Sequence, residues 1–104
     1  MALDEDTYPY AEKRQIVSLV QTLEQLVKRD PEQEVQGFAL PVLDASIEAV
    51  RAVLPGNPIV EAVRGIVSPE QIASGEPIRA ADALLVVRQL DAAIGPEPVN
   101  ISIA

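Results

Sequence analysis

The fold class is decided by residues 10–29, whose sequence is YAEKRQIVSLVQTLEQLVKR. Apolar residues recur there at spacings of three and four, which is the period of one face of an α-helix. Lys28 and Arg29 stand at the C-terminal end, where the helix dipole favours cations. The stretch therefore predicts a long amphipathic helix, and Val17 lies outside its apolar stripe. The members of that stripe are Ile16, Leu19, Val20, Leu23, Leu26 and Val27.

Proline and glycine divide the rest of the chain into further helical segments. Two short helices are predicted to begin at Asp30 and Ser68, because each is followed by Pro, Glu and Gln, the order of a capping box after a good N-cap. The predicted fold is all-α: a compact bundle of four main helices plus two short ones. The main helices after the first are expected over residues 40–54, 58–67 and 78–94.

The chain contains an internal similarity. Residues 30–54 and 68–92 align without gaps at an offset of 38 residues, and Pro-Glu-Gln, Gly and Asp-Ala recur at matching positions. One interpretation is a duplicated helical hairpin unit that forms a pseudo-symmetric bundle. The other is that two helices begin with the same favourable capping residues.

The two ends of the chain differ from this helical region. Residues 1–9 contain three consecutive acids and end at a proline, so we expect a flexible acidic leader. Residues 95–104 begin with a proline-rich spacer and continue with alternating apolar and polar residues, which predicts an extended tail. Between them we expect one helical bundle domain, residues 10–94.

The composition excludes several kinds of active site. The chain of 104 residues has no His and no Cys, so Ser-His-Asp and Cys-His catalysis are excluded and a zinc site lacks its usual ligands. Asp44 and Glu48 lie one helical turn apart, but a solvated helix face explains that spacing. The sequence therefore predicts a non-catalytic protein with no catalytic residue, cofactor or metal ligand. A small enzyme that uses carboxylates alone is the alternative.

The charge argues against two classes of partner. The net charge is −8, whereas nucleic acids and anionic membrane surfaces attract clustered Lys and Arg. No apolar run approaches the roughly 20 residues that a membrane-spanning helix needs. The acidic N-terminus has no apolar segment and does not fit a signal peptide, so we expect a cytoplasmic protein.

The aliphatic content predicts an interface. Hydrophobic residues make up 48% of the chain and its mean hydropathy is +0.16, whereas a small domain has much surface for its volume. Some aliphatic side chains are therefore expected to contact a protein partner, including a second copy of the chain. The candidates lie off the predicted core faces or alternate in the tail, and they are Val17, Leu84, Leu85, Val99, Ile101 and Ile103.

These observations favour a non-catalytic protein–protein interaction module, an adaptor or assembly subunit that acts through aliphatic helix faces and the C-terminal tail. One alternative is an acidic regulatory protein that occupies a basic surface of a partner. A second follows from the count of six helical segments, which is similar to that of the six-helix signalling domains of the death fold. Helix count alone does not establish function.

Overall fold

The computed structural model describes residues 8–35 and 39–97, and these residues are mostly helical. The predicted all-α class is confirmed at this level. The predictions for the leader residues 1–7 and the tail residues 98–104 lie outside the described part. The helices are α1 (Tyr10–Arg29), α2 (Leu40–Val53), α3 (Pro58–Val63), α4 (Pro69–Ser74) and α5 (Ala80–Ile94).

Helices α1 and α5 form the most extensive contact of the fold and run antiparallel. The Tyr8 hydroxyl, just before α1, donates a hydrogen bond to the carbonyl of Gly95, just after α5. At the opposite end, the Ala80 amide that begins α5 donates to the carbonyl of Gln33, which follows α1. Helix α2 packs against both of them, α3 packs against α5 and α2, and α4 packs against α2.

The apolar stripe predicted for α1 faces the core. Ile16 and Leu23, two turns apart, are buried, and the other members of the stripe are partly buried against the same core. Five core residues of α5 share one face of that helix, because they recur at spacings of three and four. They are Ala83, Val86, Val87, Leu90 and Ile94.

The prediction of a short helix that begins at Asp30 is wrong for the described residues. Asp30 does accept a hydrogen bond from the Glu32 amide, but the chain then makes a turn and an antiparallel bridge between Glu34 and Arg79. The Val35 amide donates to the carbonyl of Ile78 at 2.7 Å. Backbone groups that a helix would pair internally are thus paired with the segment before α5.

The short helix predicted to begin at Ser68 is α4. Ser68 accepts a hydrogen bond from the Gln71 amide, and the Gln71 side chain accepts one from the Ser68 amide, which completes the capping box. Gly75 ends the helix with a φ of 75°, a left-handed conformation that glycine adopts without steric cost. Five helices, and not six, are therefore present among residues 8–35 and 39–97, so the helix count behind the death-fold analogy is not met there.

Three predicted helices are shorter in the structure, α2 by the single residue Leu54. Helix α3 ends at Val63 rather than Val67, because the amides from Arg64 to Ile66 donate to carbonyls three residues earlier and tighten the chain into turns. Helix α5 begins at Ala80 rather than Ile78, whose carbonyl is taken by the bridge described above.

The two segments of the internal similarity take different conformations. Residues 31–35 form the turn and bridge, whereas the matching residues 69–73 belong to α4. Ile47 is fully buried in α2, but its counterpart Leu85 is exposed on α5. The structure does not confirm a duplicated unit.

The described end of the predicted leader is packed against the domain. Tyr8 and Pro9 are buried, and Tyr8 belongs to the hydrophobic core. The packed domain therefore includes two residues that the sequence had placed in a flexible leader.

Candidate functional site

An apolar groove of about 310 Å³ lies between α3 and α5. Ile59 and Leu85, which both line it, are 39% and 46% exposed. Gln89 is the single polar side chain among the described residues that form its walls, and none of them carries a charge. The walls are Pro58, Ile59, Ala62, Val63, Ile66, Leu85 and Gln89.

The wall on the α3 side exists because this helix has more apolar residues than one face can bury. Val60 and Val63 point into the core and are 0% and 1% exposed. Ile59 and Ala62 lie on the adjoining face of the same short helix, at a spacing of three. That second face lines the groove together with Ile66 from the following turn.

The wall on the α5 side is formed by Leu85 and Gln89, one helical turn apart. The core face of α5 is already occupied by Val86, Val87 and Leu90, all of which are fully buried. Leu85 lies off that face, as the sequence indicated, and remains accessible beside α3.

Of the predicted interface residues in α5, Leu84 requires a correction. It is only 6% exposed and belongs to the chain's own core. Leu84 and Asp91 are two turns apart on one side of α5, and Asp91 forms an ion pair with Lys13 of α1. Helix α1 therefore covers this side of α5 and buries Leu84, which removes it from the accessible surface.

Val17, the predicted interface residue of α1, is 36% exposed. It does not line the groove. The remaining predicted interface residues, Val99, Ile101 and Ile103, lie outside the described residues. Among the candidates, only Leu85 is placed in the groove.

Sequence reasoning missed Ile59 and Ile66 as accessible apolar residues. The signal was present, because the predicted helix over residues 58–67 contained five valines and isoleucines in ten positions. Periodicity does not show which of two adjacent apolar faces a neighbouring helix covers.

A second cavity, of about 250 Å³, lies between α1, α2 and residues 33–35. Its walls include Leu23, Leu43 and Ala83, which are all core residues with little exposure. The exposed Thr22 and the partly buried Leu19 and Leu26 also line it, so this cavity opens to the surface of the described part of the chain.

The carboxylates Asp44 and Glu48 both face Arg64. Its Nη1 atom lies 2.8 Å from Asp44 Oδ1, and its Nη2 atom lies 3.3 Å from Glu48 Oε1. Glu48 also pairs with Arg51, which donates a hydrogen bond of 3.1 Å to Glu61. The two carboxylates are thus members of an ion-pair network that joins α2 to the end of α3, and neither side chain is buried.

Tyr8 lies at the junction of α1 and the end of α5. The residue is 6% exposed, and its ring packs edge-on against Tyr10 with 4.9 Å between ring centroids. Burial raises the pKa of the Tyr8 hydroxyl above its usual 10.0, and the carboxylates of Glu97 and Asp91 act in the same direction. The hydroxyl is therefore a proton donor throughout the physiological pH range.

The described ranges lack two further features. No cluster of three or more Asp or Glu side chains there is arranged to hold a metal ion. None of the helices in that part of the chain is long and apolar enough to cross a membrane.

Comparisons with protein-family models, with curated proteins and with solved structures gave no match for this chain.

Proposed function

We propose that this chain is a non-catalytic protein–protein interaction module, an adaptor or assembly subunit that binds a partner through the groove between α3 and α5. The observation that supports this function is a groove without charged walls, in which the large apolar side chains of Ile59 and Leu85 are exposed. Contiguous apolar surface on a small domain is typical of binding sites.

The size of the groove indicates the kind of contact. Burying a fully exposed leucine or isoleucine stabilises a complex by roughly 1.5–3 kcal/mol, so the two half-exposed side chains contribute about 1 kcal/mol each. A stable interface buries about 800 Å² on each partner. The groove is therefore proposed as the centre of a larger contact, with an apolar side chain of the partner inserted between α3 and α5.

The ion pairs favour this function over an acidic regulator that occupies a basic surface. Six acidic side chains pair with Lys or Arg of the same chain, which lowers the negative potential available to a partner. They are Glu24, Glu32, Asp44, Glu48, Glu61 and Asp91. An apolar contact should tolerate salt, whereas binding to a basic surface should weaken steeply as salt is added.

The proposal is tested by affinity capture from a lysate of the native host with three immobilised forms of the chain. The forms are the natural chain, Leu85→Glu and Val42→Glu. Leu85 lines the groove, whereas Val42 is a similarly accessible aliphatic residue, 42% exposed, that does not line it. Circular dichroism confirms that each form is helical before use.

We expect a protein that is retained by the natural chain and by Val42→Glu at about 0.5 M salt and lost by Leu85→Glu. Retention of the same proteins by all three forms would show that the groove is not the binding site. Loss of all binding at high salt from the natural chain would favour the acidic regulator.

A further inference from the structure

We infer that the cavity between α1, α2 and residues 33–35 is a binding site for a small, neutral, apolar molecule that carries one hydroxyl or carbonyl group. Among the described residues, this cavity shares no wall with the groove between α3 and α5. The inference therefore goes beyond the proposed function and does not depend on it.

The cavity has a closed inner end and an opening. Its inner walls are Leu23, Leu43 and Ala83, which are 5%, 3% and 1% exposed. Thr22 is exposed and Leu19 is partly buried, and both belong to α1. A molecule that enters beside α1 can therefore place its apolar part among core side chains.

The volume of the cavity sets the size of the ligand. Voids larger than a water molecule are few in a protein interior, whereas this cavity has about 250 Å³. An apolar cavity of about 150 Å³ takes benzene, so by proportion this one has room for roughly ten non-hydrogen atoms. That is the size of a medium-length alcohol, or of one aromatic ring with a short substituent.

The walls favour an apolar ligand over water. Among the described residues that form them, Thr22 and Gln33 have polar side chains and the other seven are apolar. A buried water needs two to four polar partners, which the side chains of the inner walls do not supply. Transfer of an apolar group from solvent to this surface is favourable.

The charge of the chain favours a neutral ligand over a fatty acid. None of the described wall residues carries a charge, so no cation among them is placed to pair with a carboxylate. The net charge of −8 disfavours the approach of any anion. The Thr22 hydroxyl and the Gln33 amide, on an exposed and a partly buried residue, can instead form a hydrogen bond to a hydroxyl or carbonyl at the opening.

The test uses the full-length chain with octan-1-ol as the probe. Methyl resonances of isoleucine, leucine and valine are recorded by NMR as the alcohol is added up to its solubility limit. We expect the resonances of Leu19, Leu26 and Leu43 to shift and to saturate, with an apparent Kd below about 1 mM. Absence of these shifts, or shifts of similar size at the exposed Val42 and Leu85, would overturn the inference.

Two variants fill the cavity from different walls. Ala83→Leu adds volume at the inner end, and Ala39→Leu adds it at a partly buried position, where a larger side chain is accommodated more easily. Ala81→Leu, at an exposed position of α5 that does not line the cavity, is the matched control. Circular dichroism confirms that each form is helical before use.

We expect the filling variants to bind octan-1-ol at least about ten-fold more weakly, because the occupied volume is closed to the ligand, and Ala81→Leu to bind it like the natural chain. Undiminished binding by the folded filling variants would place the ligand elsewhere and overturn the inference.

Two further arms test the nature of the occupant. Octanoate, which has a carboxylate in place of the hydroxyl, should bind at least about three-fold more weakly than octan-1-ol at neutral pH. Equal or tighter binding of octanoate would show that the ligand need not be neutral. Dilution of the protein without probe must leave the cavity methyl resonances unchanged, since a change would show that a second copy of the chain occupies the cavity.

Discussion

The hydroxyl of Tyr8 donates a hydrogen bond of 2.7 Å to the backbone carbonyl of Gly95, and so joins the residue before α1's first turn to the residue after α5. The two residues are 87 positions apart in the sequence. Ordering so long a loop costs entropy, which the packing of α1 along α5 offsets. The bond therefore forms only when the beginning of α1 packs against the end of α5.

Replacing Tyr8 with Phe should keep the packing of the ring and remove the proton donor. We expect the free energy of unfolding to fall by about 1–2 kcal/mol, because the Gly95 carbonyl loses its partner at a part-buried site. Urea denaturation followed by circular dichroism measures the change. The control Ser74→Ala removes an exposed hydroxyl hydrogen bond and should lower the free energy of unfolding by less than about 0.5 kcal/mol. Equal losses in the two variants would mean that the Tyr8 hydrogen bond stabilises the fold no more than an exposed one does.

The contribution of Tyr8 should depend on alkaline pH. Because the folded chain raises the pKa of Tyr8 above the 10.0 of the unfolded chain, folding favours the protonated hydroxyl. This stabilisation is complete below pH 10.0 and is lost as pH rises through the pKa in the folded state. The stability difference between the natural chain and Tyr8→Phe should therefore narrow as the pH rises above 10.0. A difference that stays constant as the pH rises would contradict the raised pKa.

Leu84 and Leu85 provide a matched pair of adjacent leucines. Leu84→Ala should cost roughly 2–4 kcal/mol, close to the cost expected for Leu23→Ala or Leu90→Ala, because it opens a cavity in the core. Leu85→Ala should cost less than about 1 kcal/mol, as should truncation of Val17, since both residues are exposed by more than a third. Denaturant unfolding measures the free energy of unfolding of each variant. A larger decrease for Leu85→Ala than for Leu84→Ala would show that the buried and exposed faces of α5 are assigned wrongly.

Two ion pairs between α1 and α5 should differ in strength. The Lys13 side chain is 13% exposed where it meets Asp91, whereas Arg88 is 57% exposed and lies 3.9 Å from Glu24. Asp91→Asn should lower the free energy of unfolding by about 1–2 kcal/mol, because a largely buried ammonium loses its counter-charge. Glu24→Gln should cost at most about 0.5 kcal/mol. Equal effects in thermal unfolding would show that Lys13 is solvated.

We expect the chain to form a homo-oligomer, most simply a dimer, because several aliphatic residues stay accessible on its surface. Sedimentation at high micromolar concentration should give a mass above that of a single chain of about 11 kDa. Val17→Glu or Leu85→Glu should weaken this association more than Val42→Glu does. A monomer under these conditions would remove self-association from the proposed function.

The candidate site could be predicted in part from the sequence. The exposure of Leu85 and Val17 follows from their positions off the apolar stripes, which a helical period shows directly. The burial of Leu84 does not follow, because it depends on α1 lying over a second side of α5. The accessibility of Ile59 and Ile66 does not follow either, because a sequence does not reveal that α5 leaves one face of α3 uncovered.

Local chemistry in the sequence by itself determined the helical class, the bounds of α1 and the beginnings of α3 and α4. A period of three and four, an Asn-Pro start and a Ser-Pro-Glu-Gln box each act within one or two turns. The tertiary structure alone decided the conformation after Asp30, the burial of Tyr8 and Leu84, and the groove beside Leu85. A cap stabilises a helix by about 1 kcal/mol. After Asp30, backbone pairing of Gln33 and Val35 with the segment before α5, together with burial of apolar side chains, outweighs that contribution. After Ser68 no such pairing competes among the described residues, and the same capping residues begin α4.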